Sequence, residues 1–199
     1  SIEPNLLSNE IIYFVKHSEK FLPHFHIPLQ SGCNAVLAQM RRRYKREIFQ
    51  DRVAYIREEI PDAFIGVDVI VGFPGEDEEK YNETYEFLEN LDASFYHVFS
   101  YSQRPNTPAA EMGQQIPKET INQRSKELQH LAEQKEKALY KENLGSTRPV
   151  LFENYQKDNQ MFGFTDNYIK IETPYNPKLK EQIERVKLKS INDKGNVTV

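Results

Sequence analysis

Apolar residues recur along this chain with two periods, and each change of period marks an element. Period two sets Phe25, Ile27 and Leu29 against His24, His26 and Pro28, a strand that runs into the polar turn Gln30-Ser31-Gly32. It returns at Val67, Val69 and Val71 with Ile70 between them, so both faces of that strand read as apolar, as in a parallel sheet covered by helices. A third strand is predicted over Phe95–Tyr101. Between these the spacing turns helical. Leu7, Ile11, Ile12, Phe14 and Val15 form one face with Ser8 as its N-cap, and Asn34 caps a short helix through Val36, Leu37 and Met40. Phe49, Val53, Ile56 and Ile60 form the next face, ended by Pro61-Asp62, and Tyr81, Tyr85, Leu88 and Leu91 another. Ser1–Asn5 reads as the tail of a strand with Glu3 near its carboxyl end. Pro105 and Pro108 mark a loop from Ser102 to Ala109. Strand and helix alternate, which predicts an α/β fold with a parallel sheet, open or closed.

Beyond this the pattern changes. Lys118–Asn143 reads as one long charged helix with a narrow stripe of Ile121, Leu128, Leu131, Ala138 and Leu139, stopped at Gly145. Short alternating segments follow: Val150–Phe152, Met161–Phe164, Tyr168–Ile171, Val186–Leu188 and Val197–Val199. They predict a small all-β unit, a barrel, with the domain boundary between residues 144 and 145. A unit of that size is marginal alone, so it is expected to pack on the first domain.

The stretch from Gly66 to Glu76 joins the middle strand to a helix expected in the acidic run Glu76–Glu79, where negative charge suits the helix dipole. Gly72 and Gly75 leave room for another molecule at the carboxyl end of the strand, where α/β folds hold ligands. The same glycines also serve a plain tight connection.

Composition narrows the classes. Of 199 residues 38% are hydrophobic and 28% charged, which fits a globular protein. No apolar run reaches the roughly 20 residues that span a bilayer, and no signal peptide is visible, so no membrane partner is expected. One cysteine excludes an internal disulfide and fits a reducing, cytoplasmic setting. It also excludes a thiolate-rich metal site built from this chain alone. The net charge of −4 is uneven. From Arg148 onward nine lysines and arginines face seven acids; before it seventeen face twenty-three. The basic tail hints at an anionic partner.

His24 and His26, two residues apart on one strand face, are a conceivable metal pair. They lack a nearby carboxylate in the sequence, so no metal site is expected there. Arg41-Arg42-Arg43-Tyr44-Lys45-Arg46 places five cations around one ring, which suits a nucleic-acid backbone with the tyrosine free to stack. It equally suits a solvated helix end.

Five stretches in order resemble one family: Ser1-Ile2-Glu3-Pro4, His26-Ile27-Pro28-Leu29-Gln30-Ser31-Gly32, Met40-Arg41-Arg42-Arg43-Tyr44, Asp68–Glu76 and Tyr101–Ala109. The family is the radical S-adenosylmethionine (SAM) methylthiotransferases, and Asp68–Gly72 with His97–Ser102 look closest to the MtaB branch. Gly163–Tyr168 resembles the family's TRAM domain. The resemblance implies a partial (β/α) barrel of radical-SAM type over 1–144, then a small OB-like TRAM barrel over 145–199. It implies radical methylthiolation of N6-threonylcarbamoyladenosine beside the anticodon of tRNA. The other branches act on isopentenyl-adenosine (MiaB) or on a ribosomal-protein aspartate (RimO), and an RNA-binding module without catalysis is a further alternative. The implied cofactors are S-adenosylmethionine and 4Fe-4S clusters. The implied cofactor contacts are Glu3, Gln30, Ser31, Gly72, Pro74, Gly75 and Glu76. The implied RNA contacts are Arg41, Arg42, Arg43, Phe164, Tyr168 and Lys170, on a tRNA anticodon stem-loop. No residue is singled out as a general acid or base. Asn106 stands where the family has Gly, and Asp77 where it usually has Thr. The family's CxxxCxxC motif is not in this sequence, and Cys33 matches none of its ligands. The chain is therefore expected to be the C-terminal part of a longer enzyme, silent by itself and prone to self-association through exposed edge and apolar surface.

Overall fold

A computed structural model describes all 199 residues. The first unit is a three-stranded parallel sheet in the order β1-β2-β3: β1 His24–Gln30, β2 Phe64–Val71 and β3 Phe95–Ser100. The middle strand is β2; its apolar run predicts cover on both faces, but helices cover only one, and Asp68 and Ile70 on the other are half-buried. Helices α2 (Asn34–Gln39) and α3 (Arg46–Glu59) connect β1 to β2, and α4 (Glu78–Asn90) connects β2 to β3. They join α1 (Asn9–His17) and the long α6 (Lys118–Asn143) around one core, where Phe25, Ile27, Leu29, Ile65, Val67, Val69, Val71 and Tyr96 turn their side chains away from water. The opposite face of the arc carries His24, His26, Asp68, Ile70, Phe95, His97 and Phe99, all half-buried or exposed. An arc with one covered wall and one open wall is the geometry of part of a barrel.

Several local expectations are corrected. Ser8 sits at the N-cap of α1 but makes no side-chain cap bond, and of the expected face Ile11 and Phe14 stay exposed. Asn34 does not cap α2; its Oδ1 accepts from the Arg46 N–H and closes the start of α3 instead. Helix α4 starts at Glu78, capped by Asp77, so Glu76 lies outside it. The loop after β3 contains a single helical turn, α5 (Pro108–Glu111). On α6 Ala138 is exposed, while Arg124, Ser125 and Tyr140 are buried. The opening residues form no strand: Ile2 N–H donates once to His26 O, and the Glu3 carbonyl closes a turn onto Leu6 and Leu7. The end of β1 holds a bulge that alternation alone does not reveal. Its register on β2 slips between Pro28 and Gln30, and Gln30 takes a left-handed φ of 73°.

The second unit is a six-stranded sheet in the order β7-β4-β5-β6-β9-β8. Its strands are β4 Thr147–Lys157, β5 Gln160–Thr165, β6 Lys170–Pro174, β7 Ile183–Lys187, β8 Ser190–Ile191 and β9 Val197–Thr198. Edges β7 and β8 are separated in the chain by Leu188 and Lys189 alone, a link of about 11 Å at full stretch. The sheet therefore curls until its edges approach, although no ladder joins β7 to β8.

The two units share side chains. Phe64 of β2 and Leu139 and Tyr140 of α6 belong to the apolar core of the second sheet. Tyr168 packs its ring 4.4 Å from His24 and 5.6 Å from Phe64. Arg148 bridges Asp62 at 2.9 Å and Asp166 at 2.8 Å.

Candidate functional site

Chemistry in this fold is expected where the parallel strands end, and the structure opens a cleft of about 590 Å³ there. Ile70 of β2, Phe73 of the glycine turn, and Tyr101 just past β3 form one side. Gln39 at the end of α2 and Met40, Arg41 and Arg42 just after it form the other, and Pro108, Ala109 and Met112 close the rim. Phe73 and Tyr101 meet edge to face at 5.5 Å. Two buried polar atoms in this lining have no hydrogen-bond partner: Arg42 Nε and the Tyr101 hydroxyl. Buried donors without partners are uncommon, and two in one apolar cleft mark a place prepared for a polar ligand atom.

The residues singled out in sequence for the cofactor stand around this cleft rather than in its lining. Glu3 pairs with Arg42 at 3.3 Å and so orients a lining side chain. Gln30 and Ser31 are buried, and the Ser31 hydroxyl is engaged by the Cys33 N–H and by Thr84 Oγ1, both at 3.1 Å. Pro74 is buried behind the turn. Gly72 has a φ of +83°, and a Cβ there would lie 2.4 Å from Ile121 Cγ1, so its open side is filled by α6. Gly75, at φ +84°, faces the Gln39 amide of the cleft wall, 3.0 Å from where its Cβ would be.

Glu76 is 1% exposed. One carboxylate oxygen accepts from Gly72 N–H at 2.8 Å and lies 3.2 Å from Arg124 Nη1, which also donates to the Glu76 carbonyl at 2.7 Å. Burial pushes this carboxyl up to about 7, against the pull of the Gly72 N–H and the Arg124 guanidinium. Glu76 thus locks the glycine turn to α6 and stands behind the cleft wall.

The arginine cluster is divided. Tyr44 is 4% exposed and its hydroxyl donates to the Pro28 and Leu29 carbonyls, so it is not free to stack, contrary to expectation. Arg46 is held by Glu83 at 2.7 Å and by the Gly32 carbonyl at 3.0 Å. Arg41 and Arg43 remain exposed, and Arg41 and Arg42 reach the cleft.

A second concavity, about 670 Å³, lies on the second sheet. Tyr155, Phe162 and Phe164 line it together with Lys157, Lys170 and Lys194, and Glu153 and Asp158 stand among them. Lys170 Nζ lies 5.5 Å from the Phe162 ring centre, and Tyr155 packs 5.7 Å from Phe162. Of the expected RNA contacts, Phe164 and Lys170 line this groove. Tyr168 instead joins the aromatic contact between the units, 46% exposed. Tyr155, Phe162, Lys157 and Lys194 escaped the sequence reading. For the first three, the adjacency of rings and lysines across β4, β5 and β6 was the signal, visible only once the strands are paired; Lys194 arrives from the turn between β8 and β9.

The donors here do not fit an iron–sulfur cluster. Such a cluster needs several thiolates, and Cys33 is a lone, buried thiol pushed up by burial. S-adenosylmethionine fits better: the cleft offers apolar walls for a purine ring and two unpartnered donors.

Comparison with known proteins agrees. Residues 2–88 match the Radical SAM superfamily. Threonylcarbamoyladenosine tRNA methylthiotransferase MtaB of Bacillus subtilis is 42% identical over 175 residues, 86% of this chain and 39% of that protein. MtaB of Aquifex aeolicus is 39% identical over 166 residues, covering 83% and 39%. The tRNA-2-methylthio-N(6)-dimethylallyladenosine synthase of Natranaerobius thermophilus is 40% identical over 161 residues, covering 79% and 35%. The chain spans about two fifths of the length of these relatives. In fold it resembles the Escherichia coli coproporphyrinogen III oxidase HemN, described as a radical SAM enzyme, with a TM-score of 0.57 at 14% identity over 83% of this chain and 43% of that one. A parallel arc with its cleft at the strand ends, carried on this sequence, belongs to the radical SAM methylthiotransferase family, on its MtaB-like side.

Proposed function

We propose that this chain forms the cofactor-cleft and RNA-gripping part of a radical SAM tRNA methylthiotransferase. Its substrate is N6-threonylcarbamoyladenosine next to the anticodon. The observation that carries this reading is the pairing of two sites in one molecule: the strand-end cleft with two unpartnered donors, and the ring-and-lysine groove on the second sheet. The printed activity of the MtaB relatives supplies the choice of base. The synthases named for dimethylallyladenosine match at 36–42% identity, and they keep that nucleoside as the second reading.

When bound, S-adenosylmethionine would supply the methyl group, and its radical chemistry would need one electron from a reductant that the residues of this chain do not hold. This chain binds and orients it. Ile70, Phe73 and Met112 exclude water around the purine, while Arg42 Nε and the Tyr101 hydroxyl donate to its polar atoms. Arg41 in the cleft lining and the exposed Arg43 beyond it remain available for phosphate. Residues 145–199 act as a TRAM-type module whose rings stack on unpaired bases while its lysines track the backbone.

The test is nucleoside mass spectrometry of tRNA from cells that carry or lack the gene encoding this chain within its own polypeptide. Methylthiolated threonylcarbamoyladenosine is expected only with the gene. A gain of methylthiolated isopentenyl-adenosine selects the second reading, and no change in either nucleoside rejects both.

A further inference from the structure

The open wall of the arc carries a group of side chains that this function leaves unused. His26 on β1, Asp68 on β2 and His97 on β3 stand side by side across the sheet. The ladders pair Asp68 with His97 on one side and with Pro28, two residues past His26, on the other. One donor atom from each, two ring nitrogens and a carboxylate oxygen, lies within 4.8 Å of the other two. His26 Nε2 is 2.6 Å from Asp68 Oδ1, and the two imidazoles meet edge to face at 5.2 Å. Gly66, opposite His26 on β1 and Phe95 on β3, lies beneath the two rings. A Cβ there would touch His97 Nε2 at 3.4 Å and His26 Cδ2 at 3.8 Å and would press on Phe64 Cε1 at 3.2 Å, so a longer side chain would crowd the space between the rings. Phe95 supports His97 from below, edge to face at 5.0 Å. The carboxylate missing from the sequence reading is thus present, and the second histidine is His97 rather than His24.

We propose that His26, Asp68 and His97 form a three-ligand site for a divalent transition-metal ion of the zinc class, with its fourth position open to the concave wall. Two imidazoles and one carboxylate are a donor set for zinc and its first-row neighbours, not for calcium or magnesium, which take oxygen alone. Bonds of about 2.0–2.2 Å to each donor set the donors roughly 3.3 Å apart. The present spacing, within 4.8 Å, exceeds that by at most about 1.5 Å. The hydrogen bond between His26 and Asp68 explains two of the three residues, but it explains neither His97 nor the bare floor at Gly66. This inference stands on the sheet geometry and does not depend on the substrate proposed above.

The probe is Co²⁺, titrated into the tag-free 199-residue chain and followed by visible absorption, then displaced with Zn²⁺ and measured by calorimetry. One equivalent with tetrahedral or five-coordinate cobalt bands is expected. Affinity should fall more than tenfold in Asp68→Asn and in His97→Gln, both near-isosteric, while His24→Ala binds as the parent does. Circular dichroism and metal-free melting establish that each variant is folded. Absence of saturable binding in the parent, or equal binding in the Asp68→Asn/His97→Gln double variant, overturns the site and leaves a structural hydrogen bond only.

Discussion

At Gly72 two requirements meet in one residue: a left-handed φ of +83° and an Ile121 side chain occupying the space a Cβ would need. Gly72→Ala is expected to lower stability by about 3 kcal/mol, from strained backbone and overpacking together; urea denaturation measures it. The glycine was legible in sequence as a turn. Its neighbour was not, because Ile121 lies on a helix far along the chain and nothing local announces that approach. Glu76 has the same history. It read as the first residue of an acidic helix start, yet it is folded inward onto Gly72 and Arg124. Its carboxyl, raised from the ordinary 4.5 to about 7 by burial, holds a proton in the folded state that the unfolded chain has released. The stability it contributes is therefore complete below pH 4.5 and is lost as the pH rises through about 7. Glu76→Gln, neutral at every pH, should flatten that part of the stability–pH profile; an unchanged slope would mean that the carboxylate is ionised throughout.

Among the elements, the three parallel strands and the long α6 were legible because their periods are long and consistent. Short elements were legible in kind but not in wiring. Asn34 closes the helix after its own, and the β1 bulge depends on how Gln30 meets Val69 of the next strand. The turn between β8 and β9 shows how such wiring carries energy. Glu172 on β6 accepts from Lys194 Nζ at 2.8 Å, Asn196 Nδ2 at 2.7 Å and Asn192 Nδ2 at 3.1 Å. These bonds, that from Lys194 foremost, hold its carboxyl down at about 2. A depressed acid stabilises above its unfolded value and loses that contribution as the pH falls through the folded one. Glu172→Gln is thus expected to melt below the parent at neutral pH, with the gap narrowing as the pH falls from 4.5 toward 2. A gap that widens on acidification would assign the stability to another group.

For the whole molecule, the sequence announced two units but not their seam, since Phe64, Tyr168 and Arg148 carry no shared local pattern. The aromatic groove should behave as an electrolyte-sensitive grip. Lys157→Ala with Lys170→Ala is expected to reduce the slope of log affinity against log salt for an anticodon stem-loop by roughly 1.5, as two phosphate contacts are lost. An unaltered slope would remove these lysines from the RNA path. Helix α6 runs from the Gly72 turn, where Ile121 and Arg124 seat it, to the core of the second sheet, where Leu139 and Tyr140 end it. Its 26 residues make a rod of about 39 Å. That rod is a gauge block: it sets how far the ring-and-lysine groove stands from the strand-end cleft. One residue inserted at its middle, among the buried Leu128, Leu131 and Ala132, would advance the far end by about 1.5 Å and turn it by about 100°. Leu139 and Tyr140 would then turn out of the second core, and the seam through Phe64, Tyr168 and Arg148 could not close at the same spacing.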